Sequence, residues 1–267
     1  MNGSTQSTPH PSDLACLPDL VDVWQTTLDW QPSAEQQTKF QQLYEQILEG
    51  NRLLNLTRIT DPQEFWEKHL WDSLRGIRQF LQPPGKDGEN FTFNSLSLVR
   101  AIDIGTGAGF PGVPIAIVKP DWQVTLIDST RKKIQFLNQL LNTLELSNAT
   151  TLVERAESAA HQPNQREAYD LALIRAVAIA PACAEYALPL LKVGGVAVLY
   201  RGQWTVEETV ALEPVAKTLG GQVEAVEAFK TPLTEGDRHC VYLRKIAPTP
   251  NRFPRAVGVP VQRPLKA

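Results

Sequence analysis

Two hydrophobic periods alternate along the chain. The capping pair Ser33 and Gln36 precedes Phe40, Leu43, Tyr44, Ile47 and Leu48, whose spacing predicts a helix from about Ser33. A loop with leucines follows over 51–60, and Asp61-Pro62-Gln63-Glu64 opens a second helix running to about Leu81. From Leu98 onward the pattern changes. Short apolar runs are predicted as strands at Leu98–Ile104, Gln123–Asp128, Thr150–Glu154, Tyr169–Ile174 and Val196–Tyr200. Helices are predicted between most of them, at Pro111–Val118, Thr130–Leu144 and Pro181–Leu191. A further helix, Thr205–Leu219, leads into two strands, Gln222–Phe229 and His239–Arg244, which have no helix between them and read as a hairpin. This alternation predicts an α/β fold: a mostly parallel, seven-stranded sheet covered on both faces, with one antiparallel edge strand.

Four regions follow. Residues 1–18, rich in Ser, Thr and Pro, read as a disordered tail; 19–97 form a helical region and a linker. Residues 98–245 form the α/β core, and 246–267 a proline-rich arm with Arg252, Arg255, Arg263 and Lys266 but no acid.

Composition narrows the chemistry. The hydrophobic fraction is 42% and the charged fraction 21%, as in soluble globular proteins. The polar start, Met1 to Pro11, is unlike a signal peptide, and three scattered cysteines suggest free thiols in a reducing cytoplasm. Cysteines and histidines show no metal-ligand spacing, so no metal site is expected. The net charge of −3 means that any nucleic-acid contact must rest on a local basic patch.

The chemistry-bearing stretch is Asp103-Ile-Gly105-Thr-Gly107-Ala-Gly109-Phe110-Pro-Gly112, a glycine turn between strand and helix. Read from Gly107 it matches a dinucleotide fingerprint, which would suit a nicotinamide-dependent oxidoreductase. Read from Gly105 it closes the turn directly after the strand, with the carboxylate of Asp103 beside it. A carboxylate there opposes a pyrophosphate but suits a cation, and S-adenosylmethionine carries an amino group and a sulfonium. Asp128, ending the second strand, is placed to take ribose hydroxyls; its competing role is a helix cap, with Ser129 and Thr130. Arg155-Ala156-Glu157 follows the third strand, where an adenine ring would lie, and Arg175 emerges from the fourth, facing the crevice. His69 reads as a packing histidine and Cys183 as structural.

The chain resembles the bacterial 16S ribosomal RNA small subunit methyltransferase G family, also called glucose-inhibited division protein B. The resemblance is carried by Asn55-Leu-Thr57, Asp61-Pro62, His69-Leu-Trp-Asp72-Ser73-Leu74, the glycine turn, Asp128-Ser129, Lys132, Phe136-Leu137, Arg155-Ala-Glu157 and Arg175-Ala176. It continues through Glu235-Gly-Asp-Arg238-His239 and Phe253-Pro-Arg255. It implies a class I, Rossmann-like methyltransferase fold, an S-adenosylmethionine donor, and methylation at N7 of a guanine in 16S ribosomal RNA. It puts donor contacts at Gly105, Phe110, the Asp128-Ser129-Thr130 turn, Ala156, Glu157 and Arg175, beside Asp103 and Gly107 of the same turn. One departure is Arg201, in Tyr200-Arg201-Gly202-Gln203, where many relatives carry lysine. A non-catalytic RNA-binding or cofactor-sensing factor is the third reading, against which the intact donor motifs weigh.

Guanine N7 has a free lone pair and no proton, so alignment suffices and no acid/base pair is expected. Arg175 and Arg201 are positioning candidates. RNA contact is expected from Arg201, Arg238, His239, Arg252 and Arg255, with the arm serving RNA and leaving donor affinity unchanged. A monomer is the simplest assembly.

Overall fold

The computed structural model describes residues 16–81 and 99–266. Most of the predicted tail, the linker over 82–97 and Leu98 lie outside the described residues.

The chain first builds a helical layer. α1 (Val21–Leu28), which has no capping side chain and which the pattern did not predict, buries Trp24 and Leu28. α2 (Ala34–Asn51) starts at the expected capping box and buries Phe40, Leu43, Tyr44 and Ile47. The next helix does not run evenly to Leu81. α3 (Pro62–Phe65) passes into a π-helical segment, Trp66–Trp71, then α4 (Asp72–Arg75) and a 3₁₀ turn, Arg78–Phe80.

The sheet comprises β1 (Arg100–Ile104), β2 (Gln123–Asp128), β3 (Ala149–Val153), β4 (Tyr169–Arg175), β5 (Leu191–Arg201), β6 (Gly221–Lys230) and β7 (Asp237–Lys245). Their order is β3-β2-β1-β4-β5-β7-β6. Pairing is parallel from β3 to β5 and antiparallel at one edge, where β7 runs between β5 and β6 in the expected hairpin. β5 is longer than its apolar run. It begins at Leu191, ahead of the predicted Val196, and takes in Lys192 to Gly195, with a register shift between Tyr169 and Leu171 of β4.

Between the strands lie α5 (Gly112–Val118), α6 (Arg131–Thr143), α7 (Ala156–Ala159), α8 (Ala180–Ala187) and α9 (Val206–Thr218). Successive strand residues supply opposite layers, as a pleated strand requires. Leu171 and Leu173 pack with the N-terminal helices, whereas Ala172 and Ile174 pack with α8 and α9.

The C-terminal arm is built into the core by ties that its composition does not reveal. Arg255 donates through its backbone N–H, Nε and NH2 to the fully buried carboxylate of Glu185 on α8, at 2.7–3.1 Å. Arg166 donates to the carbonyls of Phe253 and Thr249, and His161 Nε2 lies 2.8 Å from Pro254 O. The arm even forms a short helix, α10 (Val259–Gln262), with Pro260 in its first turn, where a missing N–H costs nothing.

Candidate functional site

Strand order reverses direction at β1, whose two neighbours β2 and β4 lead to opposite sides of the sheet. Ligands of open α/β sheets bind outside the carboxyl ends of the strands at such a point. A cavity of about 410 Å³ opens there, beyond β1, β2 and β3, lined by Gly105, Asp128, Thr130, Ala156, Glu157 and Val261 among others. Ser129 also borders it.

The glycine turn is fixed from both sides. Gly105, Gly107 and Gly109 all have positive φ, at 69°, 60° and 100°. A Cβ on Gly105 would come within 2.7 Å of Val177 Cγ2, so this glycine is required both by its backbone and by its neighbour. Asp128 holds the turn to β2: Oδ2 accepts the N–H of Gly107 at 3.1 Å, and Oδ1 accepts the N–H of Thr130 at 2.8 Å. Support of the start of α6 and a place at the cavity are therefore not exclusive. The same carboxylate holds the N–H of Thr130, the N-cap residue of α6, braces the loop and borders the cavity.

Asp103 has a different place from the one expected. It is fully buried and absent from the cavity lining. Its Oδ2 accepts bonds from Thr106 Oγ1 at 2.6 Å and Gly112 N at 2.8 Å, which fold the glycine turn over the end of β1. Its Oδ1 is buried without a hydrogen-bond partner, and burial pushes the carboxyl up to about 6. Asp103 organises the turn from beneath instead of facing a ligand cation.

Phe110 and Arg175 are also placed elsewhere, together, in a cluster against the π-helical segment. In that segment the N–H of Asp72 bonds to Glu67 O, five residues back. Lys68 O is thereby left open to accept Arg175 NH1 at 2.8 Å. The same guanidinium pairs with Asp72 Oδ2 at 2.9 Å, so its carboxylate partner is Asp72, not Asp103. Arg175 NH2 lies 3.2 Å from His69 Nδ1. Because arginine only donates, Nδ1 must accept, and the imidazole proton sits on Nε2, 2.8 Å from Thr57 Oγ1. The His69 ring stacks on Phe110 with centroids 4.3 Å apart and planes 8° apart. Burial first, then the charges of Arg175 and Lys68, push His69 down to about 3, so it stays neutral. This is the packing histidine expected.

Glu157 is nearly fully buried. Its Oε1 accepts the N–H of Gly258 at 2.9 Å and lies 3.5 Å from Arg155 NH2. Among the lining residues that sequence reasoning did not assign to the site are Lys133, Tyr186 and Val261. Lys133 lies one turn into α6, 3.9 Å from Asp128 Oδ2, and its position after the strand-end acid was an available signal. Tyr186 comes from α8 and Val261 from the arm, and neither carries a local sequence signal.

The expected RNA contacts separate into two groups. Arg201, at the end of β5, pairs in register with His239 of β7. Arg201 donates to Ala178 O at 2.8 Å and lies over the Trp204 ring, while His239 Nδ1 is 2.7 Å from Gly202 O. Arg238 Nε approaches Asp72 Oδ1 at 4.0 Å. These three share the rim that carries Arg175. On the arm, Arg252 is exposed over Phe253. Arg255 does not fit the role assigned to it: Glu185 and the carbonyl of Arg263 occupy its guanidinium.

The match to the family described as rRNA small subunit methyltransferase G covers residues 36–241. The ribosomal RNA small subunit methyltransferase G of Trichormus variabilis is 61% identical over 249 residues, covering 93% of this chain and 98% of the relative. The protein of the same name from Nostoc sp. is 60% identical, with the same coverage, and that from Trichodesmium erythraeum 53% identical, covering 96% of this chain and 97% of the relative. The sheet, the glycine turn and these matches agree: the chain belongs to the rRNA small subunit methyltransferase G family.

Proposed function

We propose that this chain transfers a methyl group from S-adenosylmethionine to N7 of a guanine in 16S ribosomal RNA. The observation that carries the reading is the convergence of Gly105, Asp128, Ala156 and Glu157 on one cavity at the strand ends. Its volume, about 410 Å³, lies within the roughly 300–1,000 Å³ of small-molecule sites. A two-oxygen carboxylate beside a glycine turn suits a ribose, and the small side chain of Ala156 leaves room for a planar base. The nicotinamide reading is not supported, because the relatives that match along nearly the whole chain are ribosomal RNA methyltransferases.

The bound donor supplies an electrophilic methyl on its sulfonium. The protein's part is to hold and align. Asp128 and the turn it braces fix the donor's nucleoside half, and no residue needs to remove a proton, because guanine N7 carries none. Neutral His69, whose two nitrogens are engaged by Arg175 and Thr57, is consistent with a reaction that uses no general base. Arg201 and Arg238, with His239 in register opposite Arg201, give the rim beside Arg175 positive charge for phosphates, and exposed Arg252 extends it. Such local charge is needed on a chain of net charge −3. Work on ribosomal RNA sets the protein in the cytoplasm.

Incubating the chain with tritiated S-adenosylmethionine and 16S RNA, free or in small subunits, tests this. Label should appear as 7-methylguanine in the nucleoside digest. Label in another nucleoside, or none in RNA from a strain lacking the modification, overturns the assignment.

A further inference from the structure

The cavity has a wall that the family match does not include. The match ends at residue 241, yet Val261 lines the cavity together with Ala156, Glu157 and Tyr186. The arm reaches this position through a series of fixed ties. Thr249 is held by Lys245 and by Leu219 O, and Arg166 holds the carbonyls of Thr249 and Phe253. Glu185 clamps Arg255, and Gly258, in the left-handed region at φ 83°, turns its N–H onto Glu157 Oε1. Only after that turn does α10 place Val261 over the cavity. Glu157 thus has one carboxylate oxygen occupied by the arm, and the apolar side of the cavity next to it is supplied by the arm.

We propose that the arm residues Gly258 and Val261 form part of the nucleoside end of the donor site: Val261 packs against the bound base and Gly258 orients Glu157. This rests on the donor reading of the cavity given above. It replaces the expectation that the arm serves RNA alone and leaves donor affinity unchanged. Asp128 marks the ribose position at the end of β2, and Ala156 and Glu157, after β3, lie further out on the same side. A residue packed beside Glu157 therefore meets the base and not the amino-acid half of the donor.

The test is calorimetry of the full-length chain with S-adenosylmethionine and with 5′-methylthioadenosine, which keeps the nucleoside and lacks the amino-acid half. Val261 is about half exposed, so its replacement leaves the fold intact, as circular dichroism should verify. Val261→Glu should weaken both ligands at least tenfold, and Val261→Ala should weaken both about threefold. Val257→Glu, on the same arm but not lining the cavity, should change neither. Unchanged affinities in folded Val261 variants overturn the role of the arm while leaving the donor reading in place. Weakening of S-adenosylmethionine alone overturns the assignment to the nucleoside end. Failure of the unaltered chain to bind S-adenosylmethionine overturns the donor reading and the inference with it.

Discussion

The carboxylate of Asp128 holds the backbone N–H of Gly107 at 3.1 Å, so the end of β2 sets the shape of the turn after β1. The second oxygen holds the N–H of Thr130, the N-cap residue of α6. Asp128→Ala should therefore show two losses at once. Donor affinity should fall by about 1–3 kcal/mol, the range for a lost bond to a charged group. Thermal stability should fall by about 1 kcal/mol, the usual net worth of an intramolecular hydrogen bond. Calorimetry and thermal unfolding of one preparation check both. A loss of stability with affinity intact would reduce Asp128 to a support of α6.

Gly105 is constrained by φ 69° and by Val177. Gly105→Ala should cost about 1–2 kcal/mol through the left-handed backbone alone. Gly105→Val should in addition push Val177 aside and abolish donor binding. The check is calorimetry on variants shown to be folded; full affinity in Gly105→Val would contradict the placement of this turn against the ligand.

Asp103 and His69 give the protein opposed responses to acid. Burial raises Asp103 from 3.8 to about 6, so its contribution to stability is full below about 4 and is lost as pH rises through 6. Burial lowers His69 from 6.5 to about 3, so its contribution is present above about 6.5 and is lost as pH falls. Between pH 4 and 6.5 the two changes offset each other. Asp103→Asn can keep the acceptor for Thr106 and Gly112 and set its amide NH2 at the unpartnered oxygen, which removes the titration alone. Urea unfolding across this window should show the variant losing stability on acidification more steeply than the parent. The difference should reach about 3 kcal/mol, from a shift of about two pH units at 1.36 kcal/mol each. Parallel curves would contradict the raised value for Asp103.

Arg255 should matter for stability and not for RNA. Its removal leaves Glu185, which is fully buried, without its cation. Arg255→Met should cost about 3 kcal/mol, near the lower end for breaking a buried pair, because the arginine is partly exposed. At a temperature where the variant is folded, the salt dependence of its RNA binding should match the parent's. By contrast, Arg201→Gln or Arg238→Gln should flatten the slope of log K against log salt by about 0.7–0.9 for each phosphate no longer neutralised. A flattened slope in Arg255→Met would restore it to the RNA surface.

The sheet was legible in the sequence because its central strands β1, β4 and β5 carry apolar runs and a glycine turn follows β1, and that pattern has few other solutions. The positions of Asp128, Ala156 and Glu157 followed, since strand ends fix them. Helix α1 was not legible: it is short, lacks a capping side chain and depends on Trp24 meeting Trp66 and Phe40 from elsewhere in the chain. The π-helical segment has no sequence period of its own, and so Arg175 could be placed at the crevice without its partner Asp72 being foreseen. The arm was misread because its ties are polar and distant. Arg255 pairs with a glutamate 70 residues earlier, and no local pattern reports such a bond.

The clamp between Arg255 and Glu185 also bears on how a damaged chain would fare. A copy cut by a protease, or released early in synthesis, between Glu185 and Arg255 would lose more than a surface segment. It would keep Glu185 on α8 without the guanidinium that clamps it and without the arm that packs on that helix, at a cost of about 3 kcal/mol, a sizeable part of a domain's total stability. Incomplete copies would thus unfold more readily than intact ones and be cleared by the same proteases that act on unfolded chains. One ion pair near the end of the chain makes the folded state of the core depend on the integrity of nearly the whole polypeptide.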